Sequence, residues 1–137
     1  MPNTKETCHK LMLLPLPPPY AGPEVIASGI IQEYERLGIS DYIVINSTIR
    51  SINQEKGKFN ISGLVKFLRI YCKFVSALVH TESLFLYICS SRVGFMRDSI
   101  YILTASLLNR KIVAQYHGGN FDGFYNSQSG WYKTYIC

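Results

Sequence analysis

The sequence is poor in several features that mark particular classes of protein. Charged residues make up only 17% of its 137 positions against 47% apolar residues, a balance that is typical of a globular domain and not of a disordered chain. No apolar run reaches the roughly 18 residues that a membrane-spanning helix needs. The apolar stretch near the N-terminus is broken by prolines and is followed by no clean signal-peptide cleavage site. We therefore expect one cytosolic domain, at most peripheral to a membrane.

Metal-binding and common nucleotide-binding motifs are also lacking. The four cysteines, Cys8, Cys72, Cys89 and Cys137, do not follow the spacing of a zinc site, and reduced, mostly buried thiols are expected. A G-x-G-x-x-G fingerprint does not occur, and "EKGKF" around Gly57 lacks the first glycine and the Ser/Thr of a Walker loop. These absences argue against an ordinary dinucleotide or ATP site, and we expect neither a metal nor a bound cofactor.

Strand-like and helix-like segments alternate along the chain. Short apolar or β-branched runs predict strands at 10–14, 42–46, about 84–89 and 111–116. Apolar spacing, with Gly22-Pro23-Glu24 and Asn60 as helix starts, predicts helices over 22–38, 60–80 and 94–109, and "SGWYKTYIC" resembles the opening of a fourth helix. This alternation predicts an α/β fold, a doubly wound, Rossmann-like parallel sheet. The expected strand order is about 3-2-1-4, which places the first and fourth strands side by side.

Two unusual loops follow the first and fourth predicted strands. They read "PLPPPYAGPE" and "HGGNFDGFY", and in the expected strand order they face each other at the carboxyl edge of the sheet, where open α/β sheets bind ligands. Adjacent glycines there let a ligand approach the backbone. We interpret the second loop as a binding edge, and the alternative is a plain corner.

The positive charge of the chain is concentrated in one segment. Residues 50–80 hold six basic residues and one acidic residue, whereas the charges elsewhere cancel. On the predicted second helix Lys66, Arg69 and Lys73 fall within a narrow arc beside apolar positions. This pattern suits a membrane surface that carries anionic lipids, and the alternative is the solvent face of a buried helix. Nucleic acid is not an expected partner, because no recognition motif accompanies the charge.

Four stretches resemble the N-terminal half of the GT-B glycosyltransferases, in the large retaining family that uses nucleotide sugars. They are "LPLPPPYAGPEV", "LGISDYIVINS", "GKFN" with the helix after it, and "SSRVGFMRDSIYILTASLLNRKIVAQYHGGNFDGFY". Together they span roughly residues 11–132. The sequence departs from the family in two ways: Ala21 stands where the first glycine of a pair is common, and no donor-binding C-terminal half follows.

The resemblance implies a site and an activity. His117 is the implied catalytic residue, lining the cleft near the transferred sugar. The implied substrate-binding residues are Tyr20, Gly22, Glu24, Arg97, Gly118, Gly119 and Asn120. A solvated ion pair or a helix cap is the alternative role for Arg97. The whole enzyme is expected to pass a sugar from a nucleotide-sugar donor to a hydroxyl of a polysaccharide or lipid-linked precursor.

Three interpretations of the chain remain open. In the first, residues 1–137 form the truncated acceptor-side domain of such an enzyme, inactive alone because the donor is held mainly by the missing half. In the second, the chain is a non-catalytic subunit that binds acceptor or membrane and recruits a separate catalytic half. A degenerate fragment without activity is a third interpretation.

Overall fold

The computed structural model describes residues 10–49, 61–89, 91–117 and 121–127. Strands and helices alternate along these residues, as the sequence predicts. The strands are β1 (Lys10–Leu14), β2 (Tyr42–Asn46), β3 (Ser83–Ile88) and β4 (Lys111–Tyr116). The helices are α1 (Gly22–Arg36), α2 (Ile61–Leu78), α3 (Arg92–Leu107) and the short α4 (Phe121–Asn126). The predicted bounds of β1, β2 and β4 are confirmed, and so is the start of α1. The end of α1 and both ends of β3, α2 and α3 differ from the prediction by one or two residues.

The four strands form one all-parallel sheet, which confirms the predicted α/β, Rossmann-like class. The predicted strand order was wrong, because the observed order is β2-β1-β3-β4. Leu13 pairs with Ile45 on one side and with Leu86 on the other, so β1 lies between β2 and β3. Strand β4 borders β3 and does not touch β1.

The order in which strands are added to the sheet reverses after β2. Through α2 the chain crosses back over β1, and it then adds β3 and β4 on the other side of β1. Because consecutive crossovers are right-handed, α1 covers one face of the sheet, and α2 and α3 cover the other. Ala27 of α1 packs with Met12, Leu14 and Tyr87, whereas Phe74 and Tyr101 pack with Leu11, Leu13, Leu84 and Leu86 on the opposite face.

Local signals fix the ends of the helices. Gly38 has a φ of 68°, and around it the Ile39 N–H donates to the Tyr34 carbonyl and the Gly38 N–H to the Glu35 carbonyl, the two bonds of a Schellman cap. Ser91 caps the start of α3, where its hydroxyl accepts the Gly94 N–H at 3.2 Å. Helix α4 begins at Phe121, inside the segment that was predicted to be a loop. The predicted helix in "SGWYKTYIC" lies outside the described residues.

No helix within the described ranges is both long enough and apolar enough to cross a bilayer.

Candidate functional site at the carboxyl edge of the sheet

The loop after β1 is fastened to the end of β2. The Leu16 N–H donates to Asn46 Oδ1 and to Thr48 Oγ1, both at 3.1 Å, and the Thr48 hydroxyl donates back to the Leu16 carbonyl at 3.0 Å. The Ser47 N–H continues the ladder to the Leu14 carbonyl at 2.9 Å. These bonds satisfy the backbone where the sheet ends, and they fix the direction in which the proline-rich loop leaves β1.

Helix α1 begins at this edge without a side-chain cap. Its N-cap residue is Ala21, which supplies no side-chain acceptor, and Gly22 has open space where a Cβ would stand. Glu24 lies in the first turn, where a carboxylate is favoured by the helix dipole. Its Oε2 atom is buried and has no hydrogen-bond partner within the described part of the chain. This negative side chain accepts hydroxyl groups readily and opposes a phosphate at the same position.

Tyr87 and His117 meet at the ends of β3 and β4. Their ring centroids lie 4.0 Å apart, with 44° between the planes. The Tyr87 hydroxyl and His117 Nε2 are both buried, and neither has a hydrogen-bond partner among the residues that the structure describes. Burial raises the pKa of Tyr87 above its ordinary value, so its phenol stays protonated at neutral pH and can donate a hydrogen bond.

Tyr87 lies near the end of β3, the strand that separates the loop after β1 from the loop after β4. The sequence predicts that these two loops are adjacent. Because β3 separates β1 from β4, the ends of β1 and β4 lie two strand spacings apart, about 10 Å. The side chain of Tyr87 stands on the face of β3 that α1 covers, where it packs in one cluster with Leu14 of β1 and Ala27 of α1, and its ring contacts His117 after β4. Tyr87 and His117 therefore form a contacting pair at the carboxyl edge. Glu24 lies at the same edge, in the first turn of the helix whose Ala27 packs with Tyr87.

Arg97 is held by an ion pair. Its Nε donates to Asp98 Oδ1 at 2.7 Å, while Asp98 Oδ2 accepts the Cys89 N–H at 2.8 Å. Asp98 is only 2% exposed, and burial raises the pKa of its carboxyl, against the opposing effects of Arg97 and of the Cys89 N–H. The pair therefore ties the end of β3 to α3. Arg97 thus makes the ion pair that the sequence offers as its alternative role, with a partner that is buried and not solvated.

Tyr20 lies on the outside of α1. It is 81% exposed and lines an open groove of about 310 Å³ with Pro17, Val25, Ser28, Gly29 and Gln32. The groove runs along the solvent side of the helix, whereas Tyr87 packs against the side that faces the sheet. Tyr20 and Tyr87 therefore lie on different sides of α1.

The remaining predicted residues are placed as follows. Gly118, Gly119 and Asn120 lie outside the described residues. Lys66, Arg69 and Lys73 are exposed on α2, where the Lys66 ammonium donates to the Ile49 carbonyl at 3.4 Å. Within the described ranges, no three His, Cys, Asp or Glu side chains are grouped as metal ligands.

The sequence reading missed Tyr87. A strand is predicted there, and Tyr87 is not singled out within the continuously apolar run "LFLYI". The position of Tyr87 next to the last residue of β3 was the available signal, since it places the hydroxyl at the ligand-binding edge. That signal acquires weight only when β3 is known to lie between β1 and β4.

Searches against protein-family models, curated proteins and solved structures found no match to this chain.

Proposed function

We propose that the chain is the acceptor-side domain of a retaining glycosyltransferase of the GT-B type, which moves a sugar from a nucleotide-sugar donor to a hydroxyl acceptor. The observation that carries the proposal is the set of three buried polar atoms without described partners at the carboxyl edge: Glu24 Oε2, the Tyr87 hydroxyl and His117 Nε2. Leaving such atoms unbonded costs free energy. A ligand rich in hydroxyl groups satisfies all three.

The chemistry of these three groups suits a saccharide. A carboxylate accepts a hydroxyl proton, a neutral phenol donates or accepts, and an imidazole nitrogen does either according to its tautomer. The stacked Tyr87 and His117 rings add apolar surface of the kind on which sugar rings pack. In this proposal Glu24 and His117 orient the acceptor hydroxyl, and His117 stabilises charge that develops as the sugar is transferred.

The donor belongs to another part of the enzyme. We assign the nucleotide sugar to a second α/β half, so that the 137-residue chain alone does not consume a donor. An acceptor that is a polysaccharide or lipid-linked precursor places the domain in the cytoplasm, at the inner face of the membrane. The reaction requires no metal in this proposal.

Saccharide binding tests the proposal directly. We expect the purified chain to bind members of an immobilised glycan array, and Tyr87→Phe and His117→Ala each to weaken that binding about 3- to 10-fold, the value of one hydrogen bond. Tyr42→Phe is the matched control, because Tyr42 is the first residue of β2 and lies at the opposite edge of the sheet. Absence of binding to any glycan, or equal binding by Tyr87→Phe, contradicts the proposal.

Stability separates a ligand-binding role of Tyr87 from a structural role. Replacing an unpartnered buried hydroxyl by hydrogen leaves stability unchanged or raises it by up to about 1 kcal/mol. Tyr87→Phe is therefore expected to unfold at the same or a higher urea concentration while glycan binding weakens. A matching loss of stability and binding indicates instead that the hydroxyl supports the fold.

Turnover measurements test the division of the enzyme. Incubation of the chain with radiolabelled UDP-sugars and GDP-sugars is expected to give no transfer above a His117→Ala control. Addition of a GT-B donor-binding half is expected to give transfer that His117→Ala removes. Transfer by the 137-residue chain alone contradicts the assignment of the donor to a second half.

The second candidate is a non-catalytic subunit that binds acceptor or membrane. The exposed apolar and basic side chains of α2 favour it, because a catalytic role does not require them. Reconstituted activity distinguishes the two candidates: a catalytic domain loses turnover with His117→Ala, whereas a recruiting subunit loses only localisation when the surface of α2 is changed.

A further inference from the structure

Helix α2 has three distinct faces. Phe74 and Leu78 are buried against the sheet, and a second row of apolar side chains faces solvent. At 100° per residue that row is centred about 115° from the buried face. We call it the α2 stripe: Ile61, Leu64, Val65, Leu68 and Cys72. The basic residues Lys66, Arg69 and Lys73 form the third face, beside the α2 stripe.

Helix α3 carries a matching exposed row. It buries Tyr101 and Ala105, yet five apolar side chains on its outer side are between 43% and 75% exposed. We call this row the α3 stripe: Val93, Met96, Ile100, Leu103 and Leu107. Their spacing of three or four residues keeps them on one side over the whole length of the helix.

The two stripes border the same contact between the helices. The Tyr71 hydroxyl meets Thr104 Oγ1 at 2.9 Å, and the Phe67 and Tyr101 rings pack 5.8 Å apart. Leu64 and Leu68 lie within about 60° of Tyr71 around α2, and Ile100 and Leu107 lie within about 60° of Thr104 around α3. The stripes therefore form one continuous apolar surface, larger than the scattered apolar exposure that is normal for a monomer.

The exposed charges of α2 and α3 have a single sign. Helix α2 contains no acidic residue, and Asp98, the acidic residue of α3, is buried and bound to Arg97. The exposed charged side chains of the two helices are therefore all basic. An apolar surface with a border of cations matches a bilayer that contains anionic lipids: the stripes enter the headgroup region, and the basic side chains extend to the phosphates.

We propose that the α2/α3 surface binds the chain peripherally to anionic membranes, with the α2 and α3 stripes inserted and Lys66, Arg69 and Lys73 at the lipid headgroups. A second copy of the chain fits this surface less well, because face-to-face pairing brings the two sets of cations together. The inference rests on the membrane-binding candidate of the proposed function and names its surface and lipid, and vesicle binding can fail or succeed independently of glycan binding and turnover.

Vesicle flotation with the full chain tests the proposal. We expect binding to vesicles of phosphatidylcholine with 30% phosphatidylglycerol, and much weaker binding to phosphatidylcholine alone. Each basic residue near such a surface strengthens binding about fivefold, so Lys66→Gln, Arg69→Gln and Lys73→Gln together are expected to weaken it on the order of 100-fold. Rising salt is expected to weaken binding of the unaltered chain and to change that of the triple variant little.

Matched variants separate insertion from attraction by charge. Leu68→Gln with Leu103→Gln removes one residue from each stripe, and we expect binding to fall at least tenfold. Val25→Gln with Ile26→Gln is the control, because these α1 side chains are similarly exposed, at 55% and 48%, and lie on the opposite layer. Similar losses from both pairs contradict the assignment to α2 and α3.

A fluorophore on Cys72 reports insertion. In a variant with Cys8, Cys89 and Cys137 replaced by alanine, an environment-sensitive dye on Cys72 is expected to shift to the blue when anionic vesicles are added. The same dye on Val25→Cys, with Cys72 also replaced, is expected not to shift. An unshifted Cys72 dye overturns the insertion. Failure to bind anionic vesicles overturns the proposal. It is also overturned if the chain is a dimer in solution that the Leu68→Gln, Leu103→Gln pair dissociates, because the stripes then form a dimer interface.

Discussion

The two helical layers of this domain bury and expose different kinds of side chain. Helix α1 fully buries one residue, Ala27, and exposes Glu33, Glu35 and Arg36 at its end. Helices α2 and α3 fully bury Phe74, Leu78, Tyr101 and Ala105, and they also expose apolar rows edged by basic residues. The α1 layer is thus a thin cover beside the candidate site, whereas the α2/α3 layer holds most of the core and has apolar surface left over.

This difference indicates two separate demands on the sequence. A small residue at position 27 lets α1 approach the sheet closely, next to Tyr87 and the first-turn Glu24. Large side chains on α2 and α3 supply the apolar burial that drives folding. The exposed stripes serve neither demand, and this is the physical reason to look for a partner on that side of the molecule.

The largest expected loss of stability comes from a substitution in the core of the α2/α3 layer. Phe74 is fully buried and its ring centroid lies 4.8 Å from that of Tyr101. We expect Phe74→Ala to lower the free energy of unfolding by about 4 kcal/mol, because it removes a buried ring and leaves a cavity. Ile31→Ala, at a half-buried position of α1, is expected to cost about 1–2 kcal/mol.

Urea unfolding followed by circular dichroism measures both variants. Equal losses for Phe74→Ala and Ile31→Ala contradict the contrast between the layers. If Phe74→Ala does not fold, Phe74→Leu is compared with Ile31→Val. The first is expected to cost about 1–2 kcal/mol and the second about 0.5 kcal/mol.

Two helical glycines, one in each layer, are expected to respond differently to substitution by alanine. A Cβ on Gly94 of α3 would stand 2.6 Å from Cys89 Sγ and 2.7 Å from Ser91 Oγ, whereas one on Gly29 of α1 would meet nothing within 4 Å. We expect Gly94→Ala to cost about 2 kcal/mol, because the end of β3 must shift. Gly29→Ala is expected to gain about 0.5 kcal/mol from helix propensity. Thermal or urea unfolding checks both, and a stable Gly94→Ala variant shows that this contact yields easily.

The fold class was predictable from the sequence, and the strand order was not. The ranges of β1, β2 and β4 follow from short apolar runs bounded by proline, glycine or polar residues. Different orders of four parallel strands are compatible with the same local signals, however. These signals do not show whether β3 is added next to β2 or, after a crossover, next to β1. In the structure the edge strands β2 and β4 are less buried than the central strands β1 and β3. This difference reflects the strand order but is not visible in the sequence.

The candidate site was predictable in part for the same reason. Glu24 and His117 follow strands and stand out as polar residues at the ligand-binding edge. Tyr87 is buried within an apolar run, and its relation to His117 depends on the pairing of β3 with β4. For Arg97 the sequence left two roles open, a substrate contact and an ion pair, because the choice depends on Asp98 and on where the end of β3 lies.

A pH-dependent difference is expected for two buried tyrosines, one in each layer. Burial raises the pKa of Tyr101 in the α2/α3 layer to about 12, and burial also raises that of Tyr87 on the α1 side. A tyrosine whose pKa is higher in the folded than in the unfolded chain binds its proton more tightly when folded. Its stabilising contribution is therefore complete below pH 10 and is lost as the pH rises from about 10 to about 12.

Substitution by phenylalanine isolates this contribution. Between pH 8 and pH 11 we expect the unaltered chain to lose about 1 kcal/mol more of its unfolding free energy than Tyr101→Phe does. Tyr87→Phe is expected to reduce the alkaline loss in the same direction. Lysine deprotonation affects all three proteins equally, so the difference between them reports the phenols alone. Urea unfolding at four pH values in this interval measures it, and an identical pH dependence in all three proteins contradicts the tight enclosure of the tyrosines. If Tyr87→Phe reduces the alkaline loss of unfolding free energy more than Tyr101→Phe does, the more strongly desolvated phenol is Tyr87, beside the candidate site, and not Tyr101.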